Sequence, residues 1–198
     1  MSHETIEQIY IAAVEVFAES GFDQAKMDVI AKRAGVAKGT IYYHFTSKEE
    51  LFVAMMDQGL EALTDRVRRR IASKPSARMK IEKLIYTQIE FFFEHNKFAR
   101  LLLSEVWGSA KRQHDFRMHI REYVALIEEV LILGIEDRSF KKLNTVETSF
   151  SIFGAISVAV LQELLKQPQR GAEVWMNEAA PRLVETLETL ILSGIETK

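Results

Sequence analysis

The 198-residue sequence has no cysteine, which excludes disulfides, thiolate metal sites and cysteine nucleophiles. It has no cationic stretch leading into an apolar run at its start, and its longest weakly charged run, Phe150 to Leu161, is far short of a bilayer span. The chain is therefore expected to be soluble, unexported and cytoplasmic, with no membrane partner. Sustained alternation of apolar and polar residues is missing, so strands are not expected. Internal repeats and low-complexity segments are absent too. Several enzyme signatures are also lacking. No Glu-x-x-His occurs, and His114 and His119, five apart, do not share a helical face, so a helical-bundle metal site lacks its ligands. There is no glycine-rich phosphate loop and no positional case for a Ser-His-Asp set. No catalytic residue, metal or cofactor is expected.

What is present is 47% apolar residues, enough to bury a real core in one or two small domains. The formal net charge of −2 hides an uneven distribution. Glu4, Glu7, Glu15, Glu19 and Asp23 make the first segment acidic, whereas from 26 to 48 Lys26, Lys32, Arg33, Lys38 and Lys48 stand against Asp28 alone. A second basic run, Arg66 to Lys83, reads as the solvated face of a helix and its exit.

Apolar residues recur at helical spacing almost throughout, giving an all-α fold of about nine helices. Ile6, Ile9, Ala13, Val16 and Phe17 form the first stripe, with Gly21 as its stop. Short helices follow around Ile30 to Ala34, ending at Gly35, and around Ile41. Ser47 and Glu50 form a capping box opening a fourth helix to about Ala72. Pro75 and Ser76 precede a fifth to Glu94, Asn96 opens a sixth ending near Gly108, and a seventh runs from about Phe116 to Gly134. Asn144 and Glu147 cap an eighth to about Gln167. The last helix ends near Gly194, with Pro181 marking a kink or a start.

The stretch from Met27 to Leu51 reads MDVIAKRAGVAKGTIYYHFTSKEEL. Two short helices crossing closely need a small contact residue, a glycine in the turn and a branched apolar residue, and Ala31, Gly35 and Ile41 meet those needs. A helical wheel buries Ala37, Ile41 and Phe45 and turns Gly39 and Tyr43 outward, with Lys38, Thr40, Tyr42 and His44 flanking. Such a face suits a helix pressed into a major groove.

From about Ile9 to Leu51 the sequence resembles the DNA-binding domain of the tetracycline-repressor (TetR) family, through its alanine-rich first helix, GTIYYHF recognition helix and SKEEL. The resemblance implies an N-terminal three-helix helix-turn-helix domain (1–48) and a C-terminal helical effector-binding and dimerisation domain (49–198). It implies that Lys38, Gly39, Thr40 and Tyr43 face bases while Tyr42, His44 and Lys48 hold the backbone. The family's usual serine or threonine caps before the second and third helices are replaced here by Lys26 and Ala37, and Lys26 is expected to substitute a phosphate contact.

In the larger domain, aromatic stripes at helical spacing are first of all core, yet polar groups beside them suit a mostly apolar ligand cavity. Gln88, Phe92, Glu105, Trp107, His119, Tyr123, Phe150 and Phe153 are the candidate effector contacts, and a drug-like and a fatty-acid-like effector are both compatible with them. Gly154, Ala155 and Val158, with Leu183, Leu187 and Leu190, form candidate seams of a four-helix homodimer interface, or of packing within one chain. The implied function is a ligand-responsive regulator, a repressor released from a palindromic operator in double-stranded DNA by a small apolar or amphipathic effector. The alternatives are a helical-bundle enzyme and a scaffold without DNA binding.

Overall fold

The computed structural model describes residues 3–104, 110–166 and 170–197, and of these the side chains of 3 and 110–119 are left aside. Among the described residues the chain forms ten helices: α1 (His3–Gln24), α2 (Met27–Arg33), α3 (Lys38–His44), α4 (Lys48–Ala72), α5 (Ala77–Glu94), α6 (Asn96–Ser104), α7 (Ala110–Glu136), α8 (Thr145–Lys166), α9 (Ala172–Glu178) and α10 (Ala180–Ile195). They contain no strand, only an isolated antiparallel bridge between Phe140 and Glu196.

Local chemistry explains most boundaries. Gly21 (φ 73°) breaks the helical path inside α1, where the sequence places a stop. Gly35 (φ 70°) ends α2. There Val36 N–H reaches Ala31 O at 3.0 Å and Gly35 N–H reaches Lys32 O at 3.2 Å, a paired closure that needs a left-handed residue between them. Ser76 and Asn144 accept the amides of Met79 and Glu147 and so open α5 and α8. Ser47 likewise accepts Glu50 N–H at 3.1 Å. The expected return bond differs: the Glu50 carboxylate accepts from the amide and hydroxyl of Thr46, one residue before the cap, at 2.7 and 2.6 Å. Those two donors hold its carboxyl below the usual range.

One boundary departs from expectation: α7 begins at Ala110 rather than near Phe116. Of the two readings of Pro181, kink or start, the start holds, because Pro181 cannot donate its amide to a preceding turn and sits in the first turn of α10; α9 is a separate short helix before it.

Phe17, Ile30, Ile41 and Phe52 are buried between α1, α2, α3 and the start of α4, and the same apolar cluster continues through α4, α5, α7 and α8. α4 lies along α5 and α7, α8 covers α5 and α7, and α10 covers α5 and α8. α6 touches both α1 and α8. At one crossing Gly59 admits a ring: a Cβ there would overlap the ring of Phe98. Among the described residues α8 alone is long and apolar enough to cross a bilayer, but Ile152, Ile156 and Val160 bury one of its faces in the core.

Candidate functional site

α3 holds one residue, Ile41, in the core, and Phe45 is buried just beyond its end. Ala37, expected on that buried face, is exposed, because it occupies the extended N-cap position rather than the first helical turn. Anchored by Ile41, the helix turns Lys38, Gly39, Tyr42 and Tyr43 outward, Tyr43 with 74% of its surface exposed, and Thr40 is half-buried. A Cβ added at Gly39 would meet nothing within 4 Å. Packing therefore does not require glycine there; its effect is to leave the backbone approachable from outside.

The basic segment is partly spent on the protein itself. Lys38 pairs with Asp28 at 2.8 Å and lies over the Tyr42 ring. Arg33 pairs with Glu19 at 2.7 Å. Lys48, expected at a phosphate, instead donates to three carbonyls at the end of α1, those of Phe22, Asp23 and Ala25, at 2.7, 3.0 and 3.1 Å. Its three ammonium protons are thus used within the fold. His44 is half-buried with Nε2 enclosed and without a partner. Lys26 and Lys32 are exposed, and among the described residues no ion pair involves them. Neither Lys26 nor Ala37 caps its helix with a side chain, in line with the missing hydroxyls. The second basic run is largely structural: Arg66 pairs with Glu94 and Glu90, Arg70 with Glu90, and Arg78 with Glu82 and Glu196.

Of the candidate effector contacts, the fold brings Gln88, Tyr123 and Phe153 together. Gln88 is fully buried on α5; its amide nitrogen donates to Ser157 Oγ at 3.0 Å and to Phe153 O at 3.4 Å, and its oxygen accepts from the Tyr123 hydroxyl at 3.0 Å. Burial drives the Tyr123 phenol far above its ordinary pKa, so it stays a neutral donor. The Tyr123 and Phe153 rings meet edge to face, with centroids 5.7 Å apart, and Phe92 is fully buried nearby on α5. Phe150 does not join them. One turn earlier on α8, it is 44% exposed, beyond the edge of the buried face. Glu105 and Trp107, and the side chain of His119, lie outside the described residues. Ser157, which was not among the candidate contacts, completes the network.

The seam residues divide likewise. Leu183 and Leu187 are buried in their own chain, whereas Val158 and Leu190 are 63% and 64% exposed and Gly154 and Ala155 are half-buried. With Phe150 and Leu165 they form an outward apolar stripe, and a groove of about 290 Å³ between α8 and α10 is lined by Ile152, Ala155, Leu190 and Gly194 among others.

α6, which opens at Asn96 as expected, carries contacts that the sequence did not single out. Its Lys97 pairs with Glu15 of α1 at 3.2 Å, and its Arg100 donates to Leu164 O near the end of α8 at 2.6 Å. A short helix thus connects the first helix to the end of α8.

Comparison with known proteins matches residues 9–55 to the family described as bacterial regulatory proteins, tetR family. The fatty acid metabolism regulator protein of Bacillus subtilis strain 168 is 29% identical over 193 residues, 96% of this chain and 95% of that protein. The structure of the fatty acid degradation regulator FadR from Bacillus halodurans superposes with a TM-score of 0.84 at 26% identity, covering 95% of this chain and 98% of that one. The transcriptional regulator FadR from Bacillus subtilis, in complex with stearoyl-CoA, gives a TM-score of 0.83 at 25% identity, over 96% and 99% of the two chains.

Proposed function

The chain belongs to the TetR family of bacterial regulatory proteins, and from that premise we propose that it acts as a cytoplasmic homodimeric repressor, released from a palindromic operator by an acyl-bearing, amphipathic effector. It is a ligand-responsive DNA-binding regulator. The observation that carries the finer reading is the outward face of α3, where a glycine free of packing demands and two exposed tyrosines stand over the buried Ile41. A helix so presented fits a major groove, with Lys38, Gly39, Thr40 and Tyr43 toward base edges and Tyr42 and Lys26 toward the backbone.

The stripe Phe150, Val158, Leu165 and Leu190 supports two-fold assembly through α8 and α10, since a single chain leaves it open to water. Two recognition helices would then read half-sites about one DNA turn apart. For the effector, the central core offers the apolar walls Phe92 and Phe153 around the neutral Gln88–Tyr123–Ser157 group, which suits an uncharged carbonyl within an apolar chain. The B. subtilis relative bound to stearoyl-CoA makes a long acyl thioester the first candidate. Because Gln88 spends both amide protons and one acceptor position of its oxygen on internal partners, entry must exchange those bonds and part α5, α7 and α8. α4 and α6, both touching α1, would carry that movement to the recognition helices.

The test is selection of genomic fragments by the purified protein, followed by titration of stearoyl-CoA onto the enriched site. A two-fold symmetric sequence released by the thioester but not by free coenzyme A is the expected result. Enrichment of no sequence would end the reading, and an operator indifferent to acyl thioesters would remove the effector class.

A further inference from the structure

A crevice between α1 and the wall made by α4, α5 and α6 has no part in the function above. Tyr10 and Ile11 on one side face Gln58, Phe91 and Phe98 on the other across a cavity of about 240 Å³. A second cavity of about 370 Å³ adjoins it and shares Ile11, His95 and Phe98. Ile9, Ala12 and Ala13 turn into the core, but Ile11 is 59% exposed at the mouth. Gly59 lets the Phe98 ring fill the space its own Cβ would take, which sets an aromatic wall there.

The charge lining the smaller cavity is of one sign. Besides Glu7, the titratable groups lining the smaller cavity are Tyr10 and His95. Partial burial and the nearby Asp57 carboxylate raise the Tyr10 phenol, so it is neutral. The His95 ring packs on Phe91, centroids 4.4 Å apart; loss of water and then the Arg66 charge lower its pKa, so it too is neutral at pH 7. Arg66, over the Phe91 ring, is engaged by Glu94 and Glu90, and Lys97, lining the larger cavity, is engaged by Glu15. What faces the smaller cavity is one carboxylate, with Asp57 close by, and the rings of Tyr10, Phe91 and Phe98. Aromatic rings beside a carboxylate attract organic cations.

We propose that this crevice is a second ligand site, distinct from the Gln88 core, and that it takes an organic cation carrying an apolar ring. Its walls belong to the first helix and to the helices that support the effector core, so an occupant fixes the angle between them.

The test uses the full-length, DNA-free protein, titrated with benzyltrimethylammonium and with benzylsulfonate, an anion of similar size, and followed by calorimetry. Saturable binding of the cation but not the anion is expected. Glu7→Gln should weaken it about five-fold, as loss of one exposed charge contact does. Ile11→Trp should fill the mouth and abolish it. Both substitutions are at exposed positions, and circular dichroism checks that the fold is kept. Gln88→Leu should leave cation binding unchanged. No saturable binding, equal binding of both ions, or binding indifferent to both crevice variants would overturn the proposal. DNA binding plays no part in this titration, so its outcome is independent of the operator experiment.

Discussion

The Lys48 ammonium donates to the Phe22 carbonyl at 2.7 Å and lies 4.6 Å from the centroid of the Phe22 ring. The first residue of α4 thereby closes the end of α1, drawing in the carbonyls of Asp23 and Ala25 as well. A residue whose position suggested a phosphate contact is a strut between the helix that carries the domain and the helix that leaves it.

Lys48→Met should therefore lower unfolding stability by about 2 kcal/mol, the usual scale for hydrogen bonds to a charged group. The salt dependence of DNA binding should hardly change, because no phosphate contact is removed. Urea denaturation and anisotropy titrations at several salt concentrations read the two effects separately; a salt slope shallower by about one with unchanged stability would restore the phosphate role.

Tyr43→Ala should do the reverse. An exposed ring contributes within about 0.5 kcal/mol to stability, whereas a groove-facing side chain contributes about 1 to 3 kcal/mol at the base pair it reads. A thermal melt matching wild type, together with relaxed preference at one operator position, is the expected pair of results. Unaltered operator affinity and preference would remove Tyr43 from the interface.

The Gln88–Tyr123 bond can be tested by a double-mutant cycle. Tyr123→Phe leaves the Gln88 oxygen without a donor inside the core and should cost about 1 to 3 kcal/mol. Gln88→Leu should cost a similar amount by stranding the Tyr123 and Ser157 hydroxyls. The combined variant should lose less than the sum, with a coupling of at least about 0.5 kcal/mol in denaturation. Strict additivity would mean that the two groups do not act as one network.

Assembly should distinguish two leucines on one helix. Leu190→Glu, on the exposed stripe, should give a folded monomer by analytical ultracentrifugation. Leu187→Glu, at 4% exposure, buries a carboxylate within the chain and should unfold it instead. A Leu190→Glu protein that still sediments as a dimer would move the interface elsewhere.

The helices were legible in the sequence because they rest on local chemistry. Stripes at three- and four-residue spacing, Gly21 and Gly35 as stops, and the Ser47, Ser76 and Asn144 signals act within a few residues of themselves, so they can be read without a partner. The recognition face of α3 was legible for the same reason, since burying Ile41 fixes where Tyr43 must point. What the tertiary structure decided is which partner each long or ambivalent side chain takes. Lys48 reaches carbonyls 23 to 26 residues earlier, and Gln88 reaches across to α7 and α8. Phe150 and Phe153, one turn apart on α8, fall either side of the edge of its buried face, and Leu187 and Leu190 divide in the same way on α10. Both helices carry apolar residues beyond the stripe that their own core needs, so periodicity could not set where the buried face ends; the packing of α5 against both, and of α7 against α8, made that choice.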